Sequence, residues 1–573
     1  MREPLRSAPG AGGGPVSAGE KVGPARVGVV LGSGFPLASL ARINRGIFLA
    51  LSARHELVHL PPEYPYASPE ERRAMAEAFL GRCDVVAGLL DLPLLAARAR
   101  IESRVPYLYF THGDLSAGAW DVRAALPYLT SADVMLVNCA PEVEIARLVL
   151  VNAGVRVVPF TGAEEFYPLG DDERRAIRRR FGWGDDDRVV LFSGRVIPEK
   201  NVHTLLAVFE VVREQVPGAH LVLAGPMGTE EKGLERFGVR PVSLSATYSR
   251  LIARMDAADR VHTPGSMDTR RLRELYNAAD LAVSLTLNPD ENFGMAQVEA
   301  MACGTPVVGT AWGGLMDTID DDVTGCRVST VSTPTGVKCS WWEAINQIVR
   351  LLRDDGARRE LRERCPGAVA ARYSLAALEG ALHEIVAASV RGAAAPAEPL
   401  RATAFAEELW SVCEPRLPGP AYRRSPRAEA LYAALVTPFT AGSAWHVPAG
   451  EPLAPDQVVS LATPVHPGAG SVRPDDVFYP YDVPVPEEHR GAVEVLLEVL
   501  RESPAFVAGE IADPGPESAP VAEALMWMVR AGLVLRTRPD ARWLDPAVVG
   551  RQLSEPAFTV QRVDPAADLL VSR

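Results

Sequence analysis

Two carboxylates, Glu291 and Glu299, flank Asn292-Phe293-Gly294 in the stretch ENFGMAQVEAMACGTPVV. A carboxylate accepts through two oxygens, which suits the paired hydroxyls of a sugar or a ribose. Gly294 admits unusual backbone angles and lets a ligand approach the main chain closely. The helix expected from about Met295 would present the free N–H groups and positive dipole end that favour an anionic or hydroxyl-rich ligand. Taken alone, the two acids are equally compatible with solvent-facing residues beside a helix whose small side chains merely pack on a sheet.

A second stretch, FSGRVIPEKN (Phe192 to Asn201), places Arg195 just beyond an expected strand and Lys200 at the mouth of the next helix, with Asn201 as its expected N-cap. Two cations beside a helix N-terminus suit a diphosphate. Ordinary surface charges on a strand–helix loop are the plainer alternative. Lysine is scarce here (Lys21, Lys200, Lys232 and Lys338 are the full set), which weighs modestly against that alternative.

The elements that would position these residues follow from the hydrophobic pattern. From Ala25, short β-branched runs (ARVGVVLGS, ELVHL, CDVVAGLL, PYLYFTH, DVMLVN, VRVVPF) alternate with helical stretches. After Tyr167-Pro168 the alternation starts again, with RVVLFSG, AHLVLAG, RVHT, LAVSLTL and TPVVGT as strands. Helix MAQVEAMA stops at Gly304, and Ser374 is the expected N-cap of a last helix. Strand–helix repetition of this kind predicts two parallel, doubly wound α/β domains, with ligands at the carboxyl ends of the strands in the cleft between them.

The domain reading is a flexible tail over 1–24, a first Rossmann-like domain over 25–168 and a second over 169–391. A linker and Pro-rich arm follows over 392–480, and then an extension over 481–573. In this extension EEHRGAVEVLLEVLRE, AFVAGEIA and VAEALMWMVRAGLVLRTRP read as three helices running into a strand, a winged-helix-like order.

Composition narrows the function classes. The 573-residue chain carries a net charge of −13. Residues 400–573 hold 15 Arg against 23 acids, and residues 25–170 hold 13 Arg against 15 acids. Neither segment has the positive footprint that nucleic acid or an anionic membrane surface demands. Seven scattered cysteines, none in a C-x-x-C pair, predict free thiols in a reducing compartment. No apolar run approaches a membrane span and the first residues lack the apolar core of a signal peptide, so a cytoplasmic protein without stable membrane association is expected. The acid runs Asp185–Asp187 and Asp320–Asp322 fall in turn-like segments and read as solvated loops, not as a metal site.

The order G-R-x-x-x-x-K, then E-x-F-G-x-x-x-x-E-A-M-A-x-G-x-P-V-V, resembles the signature of the retaining family-4 glycosyltransferases of the GT-B fold. The resemblance covers about residues 25–391, and Arg195, Lys200, Glu291, Phe293, Gly294, Glu299, Gly304 and Pro306 carry it. It implies that Arg195 and Lys200 bind the diphosphate of a nucleotide-sugar donor. Glu291 would hold donor-sugar hydroxyls, helped by main-chain N–H groups around Phe293, Gly294, Met295 and Ala296, and Glu299 would hold the ribose. Gly32-Ser33-Gly34 matches the family's glycine loop, and His112 matches a histidine close to the reaction centre. By its position alone, His112 could equally be a structural residue at a strand end. The catalytic set so implied is His112, Arg195, Lys200 and Glu291, with no metal and no cofactor. The sequence departs from the family at Leu315-Met316-Asp317, where Gly-Gly is usually followed by x-Pro-Glu, and it lacks the Lys-Thr-Gly-Gly loop of glucan synthases.

The expected activity is therefore retaining transfer of a sugar to a small soluble acceptor, such as a natural product or a peptide. The Arg- and Ala-rich composition suggests bacterial biosynthesis. A nucleotide-sugar 2-epimerase-like isomerase and a degenerate nucleotide-sugar-binding protein are the alternatives. The extension is expected to recognise the acceptor or to mediate homo-oligomerisation.

Overall fold

The computed structural model describes residues 23–31, 38–113, 115, 119–161, 163–227, 241–288, 291–333, 336–412, 426–440, 453–461, 465–474, 483–502, 505–511 and 519–536. The expected flexible tail lies outside these residues except for Gly23 and Pro24.

RVGVV, VVAG, YLYF and VMLV are short runs of β-branched and aromatic residues that suit strands buried on both faces. They lie in one sheet of spatial order 56–59, 26–30, 85–88, 107–110, 134–137, 154–157, with every neighbour parallel. The second sheet runs 261–265, 219–224, 188–193, 281–284, 307–310, 325–328, again all parallel. Its chain order reverses between strands Arg188–Ser193 and Leu281–Ser284. The crevice outside the carboxyl ends at such a reversal is where doubly wound sheets hold ligands. The two sheets in tandem make the GT-B architecture.

Helix Leu375–Gly392 begins at Ser374, whose hydroxyl accepts from the Ala377 N–H at 3.3 Å. Replacing Ser374 with alanine is expected to cost about 1 kcal/mol, read as a lower denaturation midpoint at unchanged slope. The sequence groups this helix with the second domain, but it packs along helix Ala38–Ser52 of the first. Arg54 pairs with Glu379 at 2.5 Å. The Ala25 N–H donates to His55 Nδ1, so His55 Nε2 carries the ring proton and donates to His383 Nδ1 at 3.2 Å.

The arm over 392–480 holds more structure than its composition predicts. Strand Arg401–Ala402 pairs with Leu150–Val151, and the Ser131 N–H donates to the Glu398 carbonyl at 2.7 Å. Helices Ala404–Val412 and Pro426–Val436 follow. Leu400, Leu409, Trp410, Leu435 and Phe439 bury in one cluster with Leu129, Ile145 and Val149 of the first domain. Beyond lies a small separate core, where helices Arg490–Glu502 and Ala519–Arg530 cover a three-stranded sheet. AFVAGEIA, expected as helix, opens as strand Ala505–Val507 before a short helix at 508–511. The central strand of that sheet, Val458–Leu461, comes from the arm upstream and pairs antiparallel with 505–507 and 534–536. Residues 537–573 lie outside the described residues.

Candidate active site

Adjacent parallel strands end side by side, so the residues just beyond them become neighbours whatever their separation in sequence. Strands 188–193 and 281–284 are such a pair, with Leu281 opposite Val190. Arg195 follows the first tip and is half-buried, and Lys200 closes the short 3-10 turn Pro198–Lys200. Beyond the second tip, the Leu287 N–H and the Thr286 hydroxyl donate to the Glu199 carbonyl at 3.3 Å and 3.5 Å, which stitches the two loops together. Lys200 Nζ then forms an ion pair with the Glu291 carboxylate. The side chains are 19% and 11% exposed, so the pair is shielded yet open to a ligand on one side. Asn201 does not cap the following helix as expected. Its backbone is left-handed, its side chain accepts from the Thr204 hydroxyl at 2.5 Å, and no side-chain cap bond forms.

The Glu291 main chain rests on Gly313-Gly314. The Gly314 N–H donates to the Glu291 carbonyl at 2.7 Å. A Cβ on Gly313 would stand 2.2 Å from that oxygen, and one on Gly314 would stand 2.3 Å from the Phe293 nitrogen. Only glycine allows this approach. Asp317, at one of those departures, accepts from the Ala140 N–H at 2.6 Å, at the start of helix Ala140–Val149 of the first domain. Burial raises the Asp317 carboxyl above the usual range, with the Ala140 bond opposing.

Gly294 turns with φ +86° into helix Met295–Ala302, and its carbonyl accepts from the Gln297 and Val298 N–H groups. The amides of Met295 and Ala296 head the first turn, where helix geometry provides no partner. Glu299 lies on that helix, 2% exposed. The Tyr276 hydroxyl donates to its Oε2 at 3.1 Å, and Arg42 of the first domain meets its Oε1 at 2.6 Å. Burial pushes the Glu299 carboxyl up to about 7, against the pull of Arg42 and the Tyr276 hydroxyl. Phe293 is buried, its ring edge-on to Phe160 at 5.4 Å and to Tyr373 at 5.3 Å. Its role is to seat the turn, and only its backbone faces Gly314.

His112 follows strand Tyr107–Phe110 with a left-handed φ of +44°. Its ring stacks on Phe110 at 5.7 Å and leans on Phe160 at 5.4 Å, so an aromatic chain joins it to Phe293 across the domains. Neither ring nitrogen meets a hydrogen-bond partner among the described residues. Burial pushes the imidazole down to about 4, so it is neutral at physiological pH. Asn138, just past the neighbouring strand Val134–Val137, is 3% exposed, with both amide atoms likewise unpartnered among the described residues. Buried polar atoms without partners are rare in folded proteins and point to a missing ligand or water.

Lys200 and Glu291 thus meet beyond the ends of two adjacent strands of the second sheet, with Arg195 just past the first tip, Glu299 on the helix that follows Gly294, and His112 linked to Phe293 through Phe160. Gly32, Ser33 and Gly34 lie outside the described residues. Arg42, Tyr276 and Asn138 escape sequence reasoning. The one signal for Asn138 was its place at a strand end, and nothing in the spacing links Arg42 to Glu299. Among the described residues no group of three or more His, Cys, Asp or Glu is arranged as metal ligands. No helix among them is long and apolar enough to cross a membrane.

Residues 173–365 match the family described as Glycosyl transferases group 1. Over 228 residues the chain is 32% identical to a D-inositol 3-phosphate glycosyltransferase of Mycobacteroides abscessus, covering 38% of this chain and 44% of that protein. Its counterpart from Kineococcus radiotolerans is 30% identical over 287 residues, 47% of this chain and 60% of that one. The chain therefore spans about half the length of the curated relatives it matches. A solved structure of Anabaena Alr3699/HepE in complex with UDP aligns with a TM-score of 0.48 at 18% identity, over 64% of this chain and 100% of that one. Residues 173–365, which supply Arg195, Lys200, Glu291 and Glu299, thus carry the match to glycosyl transferases group 1 and hold the second of the two doubly wound sheets.

Proposed function

We propose that this protein is a retaining glycosyltransferase that moves a sugar from a nucleoside diphosphate sugar to a small soluble acceptor. The observation that carries the reading is the Lys200–Glu291 ion pair at the chain-order reversal of the second sheet, with Arg195 past the same strand tip as Lys200 and Glu299 on the helix that follows Gly294. In this reading Arg195 and Lys200 neutralise the diphosphate, and the first-turn amides of Met295 and Ala296 add positive charge. Glu291 holds donor-sugar hydroxyls from beside Lys200. Glu299 takes the ribose diol: a carboxylate has about four lone-pair sites, the Tyr276 hydroxyl occupies one on Oε2, and Oε1 stands at ion-pair distance from Arg42 without an aligned hydrogen bond. Its burial means that nucleotide binding has to open the Arg42 contact.

The bond from the anomeric carbon to the diphosphate oxygen breaks as that carbon bonds to an acceptor oxygen on the same face. The acceptor proton passes to a donor phosphate oxygen. His112, neutral and without a hydrogen-bond partner among the described residues, and Asn138 are the groups available to hydroxyls on the first domain's side. No metal or other cofactor is proposed, since the cations and helix amides supply the positive charge. The buried free cysteines fit a reducing cytoplasm. The matched relatives are named for D-inositol 3-phosphate, which makes it the first acceptor to try.

The test is a thermal-shift screen with UDP, GDP, ADP and dTDP, followed by product analysis with the matching sugar nucleotides, D-inositol 3-phosphate and EDTA. One nucleotide should raise the midpoint, and mass spectrometry with NMR should find a glycosylated acceptor of unchanged anomeric configuration. An epimerised donor, an inverted product, or no shift with any nucleotide would count against the proposal.

A further inference from the structure

The segment after helix 426–436 ends in a 3-10 turn, Thr437–Phe439, whose phenylalanine is fully buried. Phe439 is part of the arm over 392–480, outside the matched domain, yet it reaches the loop beneath Glu291. Its ring meets Trp312 edge-on at 5.2 Å, and its carbonyl accepts from the Gly313 N–H at 3.1 Å. Trp312 is held from its other end, its indole N–H donating to the Asn288 carbonyl at 2.7 Å. The next amide, Gly314, donates to the Glu291 carbonyl. On its opposite side the turn packs on helix 140–149, in one apolar cluster with Ile145 and Val149.

We infer that Phe439 is a positioning residue for the donor sugar, acting through Gly313-Gly314 on the Glu291 backbone. The inference rests on the glycosyltransferase reading above and adds that the arm over 392–480 helps to build the donor side of the cleft. The physical reason lies in the glycines. With no side chains of their own to lock them, Gly313 and Gly314 take their place from what packs on either side. On one side stands the Glu291–Phe293 backbone, and on the other Phe439. A shift of the Gly-Gly loop would carry Glu291 away from Lys200, and sugar hydroxyls would lose a partner. The ribose partner Glu299 is held instead by Arg42 and Tyr276, and Arg195 stands past a different strand tip.

The test uses the full chain, native and Phe439→Ala, titrated with the donor that the product assay identifies and with its nucleoside diphosphate alone. Phe439→Ala is expected to lower the affinity for the sugar nucleotide about tenfold while that for the nucleoside diphosphate stays within about twofold. Should that variant not fold, Phe439→Leu, which keeps apolar volume but loses the ring edge on Trp312, is expected to show a smaller change of the same kind, about threefold. An unchanged ratio of the two affinities, or an equal loss of both, would overturn the inference alone. A native protein that binds no nucleotide at all would overturn the glycosyltransferase reading, and this inference with it.

Discussion

Replacing Lys200 with alanine is expected to lower turnover about 10²- to 10³-fold, the size seen when a preorganised group that stabilises developing negative charge is removed. The ammonium is proposed to meet the charge growing on the leaving diphosphate. In the ligand-free protein it also neutralises Glu291, a carboxylate only 11% exposed. The substitution therefore has two effects that must be separated. One is a stability loss from an uncompensated, largely buried carboxylate, and Glu291→Gln in the same chain should restore it. The other is the loss of transition-state stabilisation, which Gln at 291 cannot restore. Steady-state kinetics and denaturation midpoints on the two single variants and the double variant resolve them. Native turnover in Lys200→Ala, with the fold intact, would remove Lys200 from the site.

Replacing Glu299 with glutamine is expected to weaken nucleoside diphosphate binding by about 10- to 150-fold, since hydrogen bonds to a charged group contribute about 1.5–3 kcal/mol. It should also change how stability depends on pH. The native carboxyl is pushed up to about 7 by burial, from an ordinary value of 4.5. A raised folded value means that the protonated acid is the form the folded state prefers. Its contribution is full below 4.5 and is lost as pH rises through 7. Glutamine does not ionise and keeps its contribution throughout. The ligand-free Gln variant should therefore gain on the native protein as pH rises from 4.5 to 7, by up to about 3 kcal/mol. His112 titrates over part of the same range with the opposite sign, stability falling as pH drops from 6.5 towards 4, so it obscures the native curve. It is common to both proteins, and the difference between their curves removes it. Parallel curves for the two proteins would contradict the burial-raised carboxyl.

Much of the framework was legible from periodicity alone. Strands such as VVAG and VMLV are short, apolar and β-branched, and with helices between them few arrangements other than parallel sheets are open. The meeting of Lys200 with Glu291 was legible for a related reason. Each follows a strand tip, and tips of adjacent parallel strands share one end of the sheet. The arm was harder. Leu409, Trp410 and Leu435 sit among alanines and prolines without a repeating period long enough to announce buried helices, and their partners lie more than 250 residues earlier in the chain. AFV in 505–507 was read as helix because a three-residue strand has too little length to show alternation.

By itself, then, the sequence determined the two doubly wound sheets, the motif residues and the ends of the strands on which they stand. Each of these depends on local patterning, since apolar spacing selects strand or helix and a loop follows its element. Tertiary structure alone decided that Arg42 reaches Glu299, that helix 375–392 crosses back to the first domain and that Phe439 lies under the Gly313-Gly314 loop. These contacts join residues 257, 325 and 127 positions apart (42 to 299, 54 to 379 and 312 to 439). No local preference specifies such a pairing. It emerges when whole apolar faces are buried together, and the polar groups at their margins take the partners that this burial brings within reach.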